Sequence, residues 1–160
     1  MTQDFISTEV AKIFNNKKYK YPLNMAMASV WILANFKGTN LKVLDVEKQS
    51  SMTDYFIIGS ASNPTQANAM AEAICQMMKK HEITIKSVEG STGADWTLID
   101  LGDVIVHIFQ ETARNNYDLE GLYAASSFIK IPEDYYFQEP DKRPKTSSNS
   151  SNSSDDENYF

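Results

Sequence analysis

The strongest constraint on the fold of this chain is an alternating stretch, DWTLIDLGDVIVHIF, at positions 95 to 109. Alternation of apolar with other residues is typical of β-strands, because successive side chains of a strand point to opposite faces. Two such runs meet at Leu101, Gly102 and Asp103, where Gly102 can adopt the positive φ that a tight turn requires. The stretch therefore predicts a β-hairpin.

The turn fixes the two faces of this hairpin but leaves its register open. If Leu101 and Gly102 form the turn, Trp96 pairs with His107; moving the turn by one residue changes the partners and preserves the faces. The almost wholly apolar face, expected against core helices, consists of Thr97, Ile99, Val104, Val106 and Ile108. The mixed face, which is the candidate functional surface, consists of Trp96, Leu98, Asp100, Ile105, His107 and Phe109.

Other patterns predict helices and strands on both sides of the hairpin. Asn63 can cap a helix, Pro64 suits its first position, and Gln66 completes a capping-box spacing. A helical period over residues 25 to 36 ends at Gly38, as helices often do. Further β-prone runs lie at 41–46, 54–61 and 84–90, and a helical pattern lies at 111–123. The order is α, β, β, α, β and then the hairpin.

Length and composition predict one globular domain. The chain has 160 residues, of which 42% are apolar and 22% charged. The longest apolar-rich stretch, residues 25 to 36, is too short to span a membrane. The first residues lack the features of a secretory signal, and a single cysteine fits a reducing compartment. We expect an N-terminal extension at 1–23, an irregular extension at 124–139, and a disordered Ser/Asn-rich acidic tail at 140–160.

The distribution of charge favours a basic partner over nucleic acid. The formal net charge is −6, from 21 acidic and 15 basic residues, whereas a general nucleic-acid binder would show a basic face. Residues 89–120 hold seven acids against Arg114 alone. The acids are Glu89, Asp95, Asp100, Asp103, Glu111, Asp118 and Glu120. Such an acidic field can steer a basic partner, and the alternative is a solvated surface.

The sequence offers little support for a catalytic site. The carboxylates beside the hairpin turn and His107 could bind a cation or move a proton, but their spacing is not that of a known metal loop. Gly59 and Ser60 resemble the Gly-Ser of nucleotidyltransferases. Those enzymes also need an alternating pair of carboxylates on the next strand, where this chain offers only Glu89. We therefore expect no enzyme activity, no cofactor and no metal.

Two reactive side chains have ordinary structural interpretations. Cys75 flanks the inward stripe of the helix that follows Asn63, and nothing near it in sequence would lower its pKa. We interpret it as a small buried hydrophobe rather than a nucleophile. For His107 two interpretations stay open: a hydrogen-bonded structural histidine and an interface contact.

Three stretches, taken in order, closely resemble the ribosomal silencing factor family, also called Iojap-like proteins. They are LKVLDVEKQSSMTDYFIIGSASNPTQ, VEGSTGADWTLIDLGDVIVHIFQE and ARNNYDLEGLY. The similarity covers residues 24–123, which we take as the domain. Residues 94–109, followed by Tyr-Asp-Leu-Glu at 117–120, are highly specific to that family.

This resemblance implies both a fold and a role. The implied fold is α/β: a single domain with a mixed β-sheet flanked by helices, in a nucleotidyltransferase-like topology without the catalytic carboxylate pair. The implied role is to bind the large ribosomal subunit through large-subunit ribosomal protein fourteen. Bound there, such a protein sterically blocks joining of the small subunit and represses translation, notably under nutrient limitation.

The resemblance also assigns contact residues and partners. The family's contact positions that match this chain are Trp96, Tyr117, Asp118 and Glu120. The hairpin faces add Asp100 and His107 as candidate contacts. We interpret Trp96 as the anchor, the alternative being a side chain that only covers the sheet. We also expect a homodimer when the protein is free, and neither a membrane nor a specific nucleic-acid sequence as partner.

Two other functions stay in view. The first is assembly of the large ribosomal subunit through the same surface, and the second is a nucleotidyltransferase-like enzyme. We expect a bacterial cytoplasmic protein, with an organellar homologue as the alternative.

Overall fold

A computed structural model describes residues 3–90 and 93–136, and the structural statements below concern those residues. Its helices are α1 (Gln3–Phe14), α2 (Leu23–Asn35), α3 (Pro64–Lys80), α4 (Arg114–Tyr117) and α5 (Leu119–Leu122). Its strands are β1 (Thr39–Asp45), β2 (Tyr55–Ala61), β3 (Ser87–Glu89), β4 (Trp96–Asp100), β5 (Val104–Gln110) and β6 (Ser127–Phe128). A 3₁₀ turn follows at Glu133–Tyr135. Within the described ranges no helix is long and apolar enough to cross a membrane.

The six strands form one mixed sheet in the order β3-β4-β5-β2-β1-β6. β2 and β5 are parallel and lie at its centre, while every other neighbouring pair is antiparallel. A parallel pair needs a long crossover, and the chain from β2 to β5 contains α3 together with β3 and β4. The predicted α/β class with a mixed sheet is confirmed.

The three long helices cover one face of this sheet. Ile99, Val104, Val106 and Ile108 of the hairpin belong to the same buried core as the apolar side chains of α1, α2 and α3. Ten of the 13 residues of α2 are buried, because the sheet lies on one side of it and α1 on another. The face of the hairpin that the sequence predicts to be apolar therefore packs on the helices, as expected.

The hairpin adopts the second of the two predicted registers. Trp96 pairs with Phe109 and Leu98 with His107, so the register with Trp96 opposite His107 is wrong. The turn residues are Gly102 and Asp103, since Leu101 N donates to Val104 O at 2.9 Å. Gly102 has a φ of +91°, in agreement with its predicted role. Both faces keep the residues predicted for them.

The helix ends follow the predicted signals with one change. At α3, Asn63 Oδ1 accepts a hydrogen bond from Gln66 N at 2.8 Å, which confirms the cap. At the end of α2, Gly38 N donates to Leu33 O at 2.8 Å, but Lys37 rather than Gly38 takes the left-handed conformation, with a φ of +66°. These bonds form a Schellman motif in which a lysine occupies the position that usually prefers glycine.

Both predicted extensions contribute to the core. α1 lies inside the segment predicted as an N-terminal extension, and its apolar stripe of Ile6, Val10 and Ile13 is buried. In the segment predicted as irregular, β6 pairs with β1, and Ile131 and Tyr135 join the same core. The tail predicted to be disordered, residues 140–160, lies outside the described residues.

Candidate functional site

The sheet face opposite α1, α2 and α3 carries a second, smaller apolar cluster; we call this side the open face. Its buried members are Leu44, Val46, Phe56, Ile58, Phe109 and Leu119, and Trp96, Ile105 and Tyr123 pack against them half-buried. Because side chains alternate along a strand, these residues interleave in sequence with those that face the helices. After β5 the chain continues into the four-residue helices α4 and α5, and Leu119 of α5 is a buried member of the cluster.

Six rings form a continuous aromatic cluster across the open face, with Phe109 in its middle at 5.1 Å from Trp96 and 5.8 Å from Tyr117 between ring centroids. Tyr117 contacts Trp96 with 4.8 Å between ring centroids, and Trp96 lies 5.8 Å from His107. His107 then contacts Phe56 edge to face at 4.7 Å, and Phe56 contacts Tyr123 at 4.7 Å. Tyr117 is 46% exposed, whereas Trp96 is half-buried. The exposed end of the aromatic cluster is therefore at Tyr117 and Trp96.

His107 is a structural member of this cluster rather than an exposed contact. Its side chain is 3% exposed, and its Nδ1 accepts a hydrogen bond from Trp96 Nε1 at 3.1 Å. Burial lowers the pKa of His107 to about 3, so the ring is neutral at physiological pH and carries its hydrogen on Nε2. Nε2 has no hydrogen-bond partner among the described residues. In the free chain His107 lies beneath the surface and holds Trp96, and a contact between His107 and a partner stays a prediction.

Asp100 lies away from the aromatic cluster. It ends β4, and the four-residue separation from Trp96 corresponds to about 13 Å along an extended strand. Its Oδ1 accepts a hydrogen bond from Gly102 N at 2.9 Å. Asp100 therefore stabilises the hairpin turn, and the structure does not bring it to the other predicted contacts.

Tyr117 and Asp118 lie at the apex of a sharp bend between α4 and α5, and we call residues 114–120 the elbow. Asp118 joins the two helices with a φ of +45°, in the left-handed region. A Cβ on Gly121 would collide with the Asp118 carboxylate, so glycine there makes room for that side chain. Both Tyr117 and Asp118 are exposed. The elbow therefore presents an aromatic ring and a carboxylate side by side.

Glu120, another predicted contact, turns inward. Its carboxylate accepts from Arg114 Nη2 at 2.8 Å and Nε at 3.3 Å, and Lys42 Nζ lies 3.0 Å away. The hydrogen bond from Arg114 is the main reason that the pKa of Glu120 is lowered. Arg114 is 5% exposed and donates from Nη1 to Ser60 Oγ at 2.8 Å.

Sequence reasoning missed the roles of Ser60, Arg114 and Lys42. Arg114 stood out as the single base in an acidic run, yet nothing in the sequence indicated that it is buried. Its partner Ser60 lies 54 positions earlier. Gly59 is explained by packing, since a Cβ there would lie 2.9 Å from side-chain atoms of Leu33 and Leu41.

Acidic side chains of residues 89–120 remain at the surface after this pairing, and we call the two beside the aromatic residues, Asp95 and Asp118, the acidic rim. Of the seven acids between residues 89 and 120, Glu120 is neutralised by Arg114, and the other six are exposed or half-buried. Asp95 and Asp118 directly flank Trp96 and Tyr117 in sequence, and both are exposed. Across the described ranges, no three His, Cys, Asp or Glu side chains are grouped so that they could hold a metal ion. The surface is suited to a basic partner that also offers apolar contact.

In residues 3–90 and 93–136, the sheet face opposite the three long helices carries an aromatic cluster and an acidic rim, a kind of surface with which α/β domains bind other macromolecules. The family described as "Ribosomal silencing factor during starvation" matches residues 20–158, which is most of the chain. The protein therefore belongs to this family of ribosomal silencing factors, and the resemblance predicted from the sequence is confirmed.

Individual relatives agree with this assignment. The ribosomal silencing factor RsfS of Haemophilus influenzae is 41% identical over 92 residues, which cover 58% of this chain and 90% of that protein. A crystal structure of a Bacillus halodurans protein superimposes with a TM-score of 0.59 at 30% identity, covering 72% of this chain and all of that one. The mouse protein named "Mitochondrial assembly of ribosomal large subunit protein 1" is 27% identical over 113 residues, which cover 68% of this chain and 48% of that protein.

Proposed function

We propose that this protein binds the large ribosomal subunit through large-subunit ribosomal protein fourteen and sterically blocks joining of the small subunit. Translation would thereby be repressed, notably under nutrient limitation. We place this action in the bacterial cytoplasm, with an organelle as the alternative compartment, and propose that the protein is not an enzyme. The proposal extends the family assignment to a named partner and a mechanism.

The observation that carries the proposal is the contact between half-buried Trp96 and exposed Tyr117, with exposed Asp118 next to Tyr117 in sequence. Tryptophan and tyrosine are enriched among residues that dominate interface energies, and their rings lie 4.8 Å apart here. Ribosomal proteins are generally basic because they bind RNA, so an acidic rim favours their approach and orients it. We propose Trp96, Tyr117 and Asp118 as the direct contacts, with His107 and Asp100 in supporting positions.

Co-sedimentation with separated ribosomal subunits tests this function. The full chain should pellet with large subunits and not with small ones, and it should reduce subunit joining when small subunits are added. Binding should weaken between low and moderate salt because salt screens the acidic rim. Binding to neither subunit, or equal binding to both, would contradict the proposal.

Substitution of two tyrosines of similar exposure tests where the contact lies. Tyr117 is 46% exposed on the elbow, whereas Tyr136 is 41% exposed and follows the 3₁₀ turn that packs on α2. Tyr117→Ala should weaken binding by about 2 kcal/mol, as truncation of an interface hot spot does, and Tyr136→Ala should leave it unchanged. Trp96→Ala should weaken binding at least as much. A folded Trp96→Ala variant that binds normally would mean that Trp96 only covers the sheet.

A role in assembly of the large subunit is the second candidate, and the name of the mouse relative favours it. It uses the same surface and differs in its consequence. If the protein binds large subunits without inhibiting joining, and its loss causes precursor subunits to accumulate, assembly is the better description.

We propose separately that the free protein is a homodimer. The molar mass of the free protein at micromolar concentration tests this proposal.

A further inference from the structure

Four side chains form a polar network beneath the elbow: Ser60, Arg114, Glu120 and Lys42. We propose that this network positions Tyr117 and Asp118, and that Glu120 is an internal partner of Arg114 rather than a contact of the ribosomal protein. This inference rests on the proposed function, because it concerns how the elbow is presented to the large subunit.

The network joins the first and the last residue of the elbow. Arg114 is the first residue of the elbow and Glu120 is the last, and they are joined by two hydrogen bonds from the guanidinium to the carboxylate. The backbone is closed as well, since Asp118 N donates to Arg114 O at 3.1 Å. Tyr117 and Asp118 lie between these closures. Their orientation therefore depends on the bond between Arg114 and Glu120.

The elbow needs this support because its helices are short. α4 and α5 have four residues each, far below the length at which a helix is stable without tertiary contacts. Between them Asp118 adopts a left-handed conformation that is unfavourable for most residues. Contacts with the rest of the domain must determine the bend.

Ser60 and Lys42 connect the elbow to the sheet. Ser60 belongs to the central strand β2, is 2% exposed, and accepts from Arg114 Nη1 at 2.8 Å. Lys42 belongs to β1 and lies 3.0 Å from Glu120. The elbow is thus held against two neighbouring strands, and its aromatic apex is held against Trp96 of β4.

Electrostatics explain why Glu120 is retained inside this network. A buried guanidinium is costly unless it is paired, and its planar donors fit a carboxylate in a two-bonded arrangement that lysine cannot reproduce. If Glu120 turned toward a partner, Arg114 would lose its carboxylate while remaining 5% exposed. The carboxylate that remains available to a basic partner at the elbow is that of Asp118.

Ser60→Ala is the decisive variant, because a side chain that is 2% exposed cannot touch a partner. Arg114→Lys is the second variant, and Lys42→Gln serves if either fails to fold by circular dichroism. Glu111→Gln is the matched control: it removes one charge from the same acidic segment, and the Glu111 carboxylate accepts only a long hydrogen bond of 3.4 Å, from Thr39 Oγ1, among the described residues. Two quantities are measured on each full-length variant: amide hydrogen exchange over residues 114–123 in the free chain, and affinity for purified large subunits.

The inference expects faster exchange in the elbow and about tenfold weaker binding for Ser60→Ala and Arg114→Lys, with neither change in Glu111→Gln. In a Tyr117→Ala background, Ser60→Ala should cause a smaller further loss of affinity, because only the positioning of Asp118 is then left to lose. Unchanged exchange together with unchanged binding in Ser60→Ala would overturn the inference. So would a large loss of affinity in Glu120→Gln with no change in elbow exchange, because that pattern marks a direct contact.

If the proposed function is wrong, the binding measurements give a different result. If Trp96→Ala and Tyr117→Ala both bind large subunits normally, the proposed contact is wrong. Elbow exchange is measured in the absence of ribosomes, so it still shows whether the network holds the elbow.

Discussion

Trp96 Nε1 donates a hydrogen bond to His107 Nδ1 at 3.1 Å, so the half-exposed indole is fixed by a buried, neutral imidazole. This bond requires His107 to be unprotonated at Nδ1. The orientation of the proposed anchor therefore depends on the charge state of a residue that is 3% exposed in the free chain.

The buried histidine predicts a loss of stability in mild acid. Burial lowers the pKa of His107 from the ordinary value of 6.5 to about 3. Below pH 6.5 the unfolded chain binds a proton that the folded chain does not. The free energy of unfolding should therefore fall by about 1.4 kcal/mol for each pH unit below 6.5, until the pH reaches the folded pKa.

Urea unfolding between about pH 7 and pH 5, above the range in which carboxylates titrate, measures this slope. His107→Phe should remove the larger part of the slope. His81→Phe should retain most of it: burial also lowers the pKa of His81, but this imidazole is only half-buried, against Phe14. Equal slopes in wild type and His107→Phe would show that His107 is not held neutral.

Substitution by alanine should reduce stability by different amounts at the two glycines before β4. Gly90 and Gly93 both have positive φ, +102° and +87°, so alanine at either costs about 1–2 kcal/mol in backbone strain. At Gly90 a Cβ would also lie 2.5 Å from Trp96 O, whereas at Gly93 it meets nothing within 4 Å. Gly90→Ala should destabilise the protein by about 2–4 kcal/mol, and Gly93→Ala by about 1 kcal/mol. Denaturant midpoints compare them, and equal costs would show that the close approach is absent.

The N-terminal helix is predicted to be part of the folding unit. Val10 of α1 is fully buried, so Val10→Ala should lower the free energy of unfolding by about 2 kcal/mol. Val88 on β3 is 49% exposed, and Val88→Ala should change that free energy by less than about 0.5 kcal/mol. If both variants unfold at the same urea concentration, α1 is dispensable for stability.

Cys75 is predicted to react slowly. It is half-buried, and burial raises the pKa of its thiol, which reduces the thiolate that attacks alkylating reagents. Iodoacetamide at neutral pH should modify the folded protein more slowly than free glutathione, and unfolding in urea should remove the difference. Reaction of the folded protein faster than glutathione would contradict the interpretation of Cys75 as a packed hydrophobe.

Local patterns predicted the elements that depend on neighbouring residues. The faces of the hairpin followed from alternation, and the start of α3 followed from Asn63 and Gln66. The register did not follow, because both candidate turns contain Gly102. α1 was missed although Ile6, Val10 and Ile13 have helical spacing, since residues 1–23 were interpreted as an extension ahead of a domain that begins at residue 24.

The candidate site was less predictable because it depends on distant pairs. Glu120 was expected to be a contact from the family resemblance, and its inward direction is set by Arg114, which also bonds Ser60 of β2. The sequence left two interpretations of His107 open. Its burial beneath rings from other strands supports the interpretation as a structural histidine. Tyr117 and Asp118 are exposed at the surface, as a contact role requires, and that role remains a proposal.

The open face has a consequence for incomplete chains. Its side chains come from β1, β2, β4, β5 and the elbow, and the central pair β2 and β5 is brought together across the whole of α3. A chain that stops before β5 therefore carries neither the imidazole that holds Trp96 nor the arginine that holds Tyr117. Truncated or partly folded copies would lack the complete surface, so among copies of this protein only finished molecules could compete for its partner.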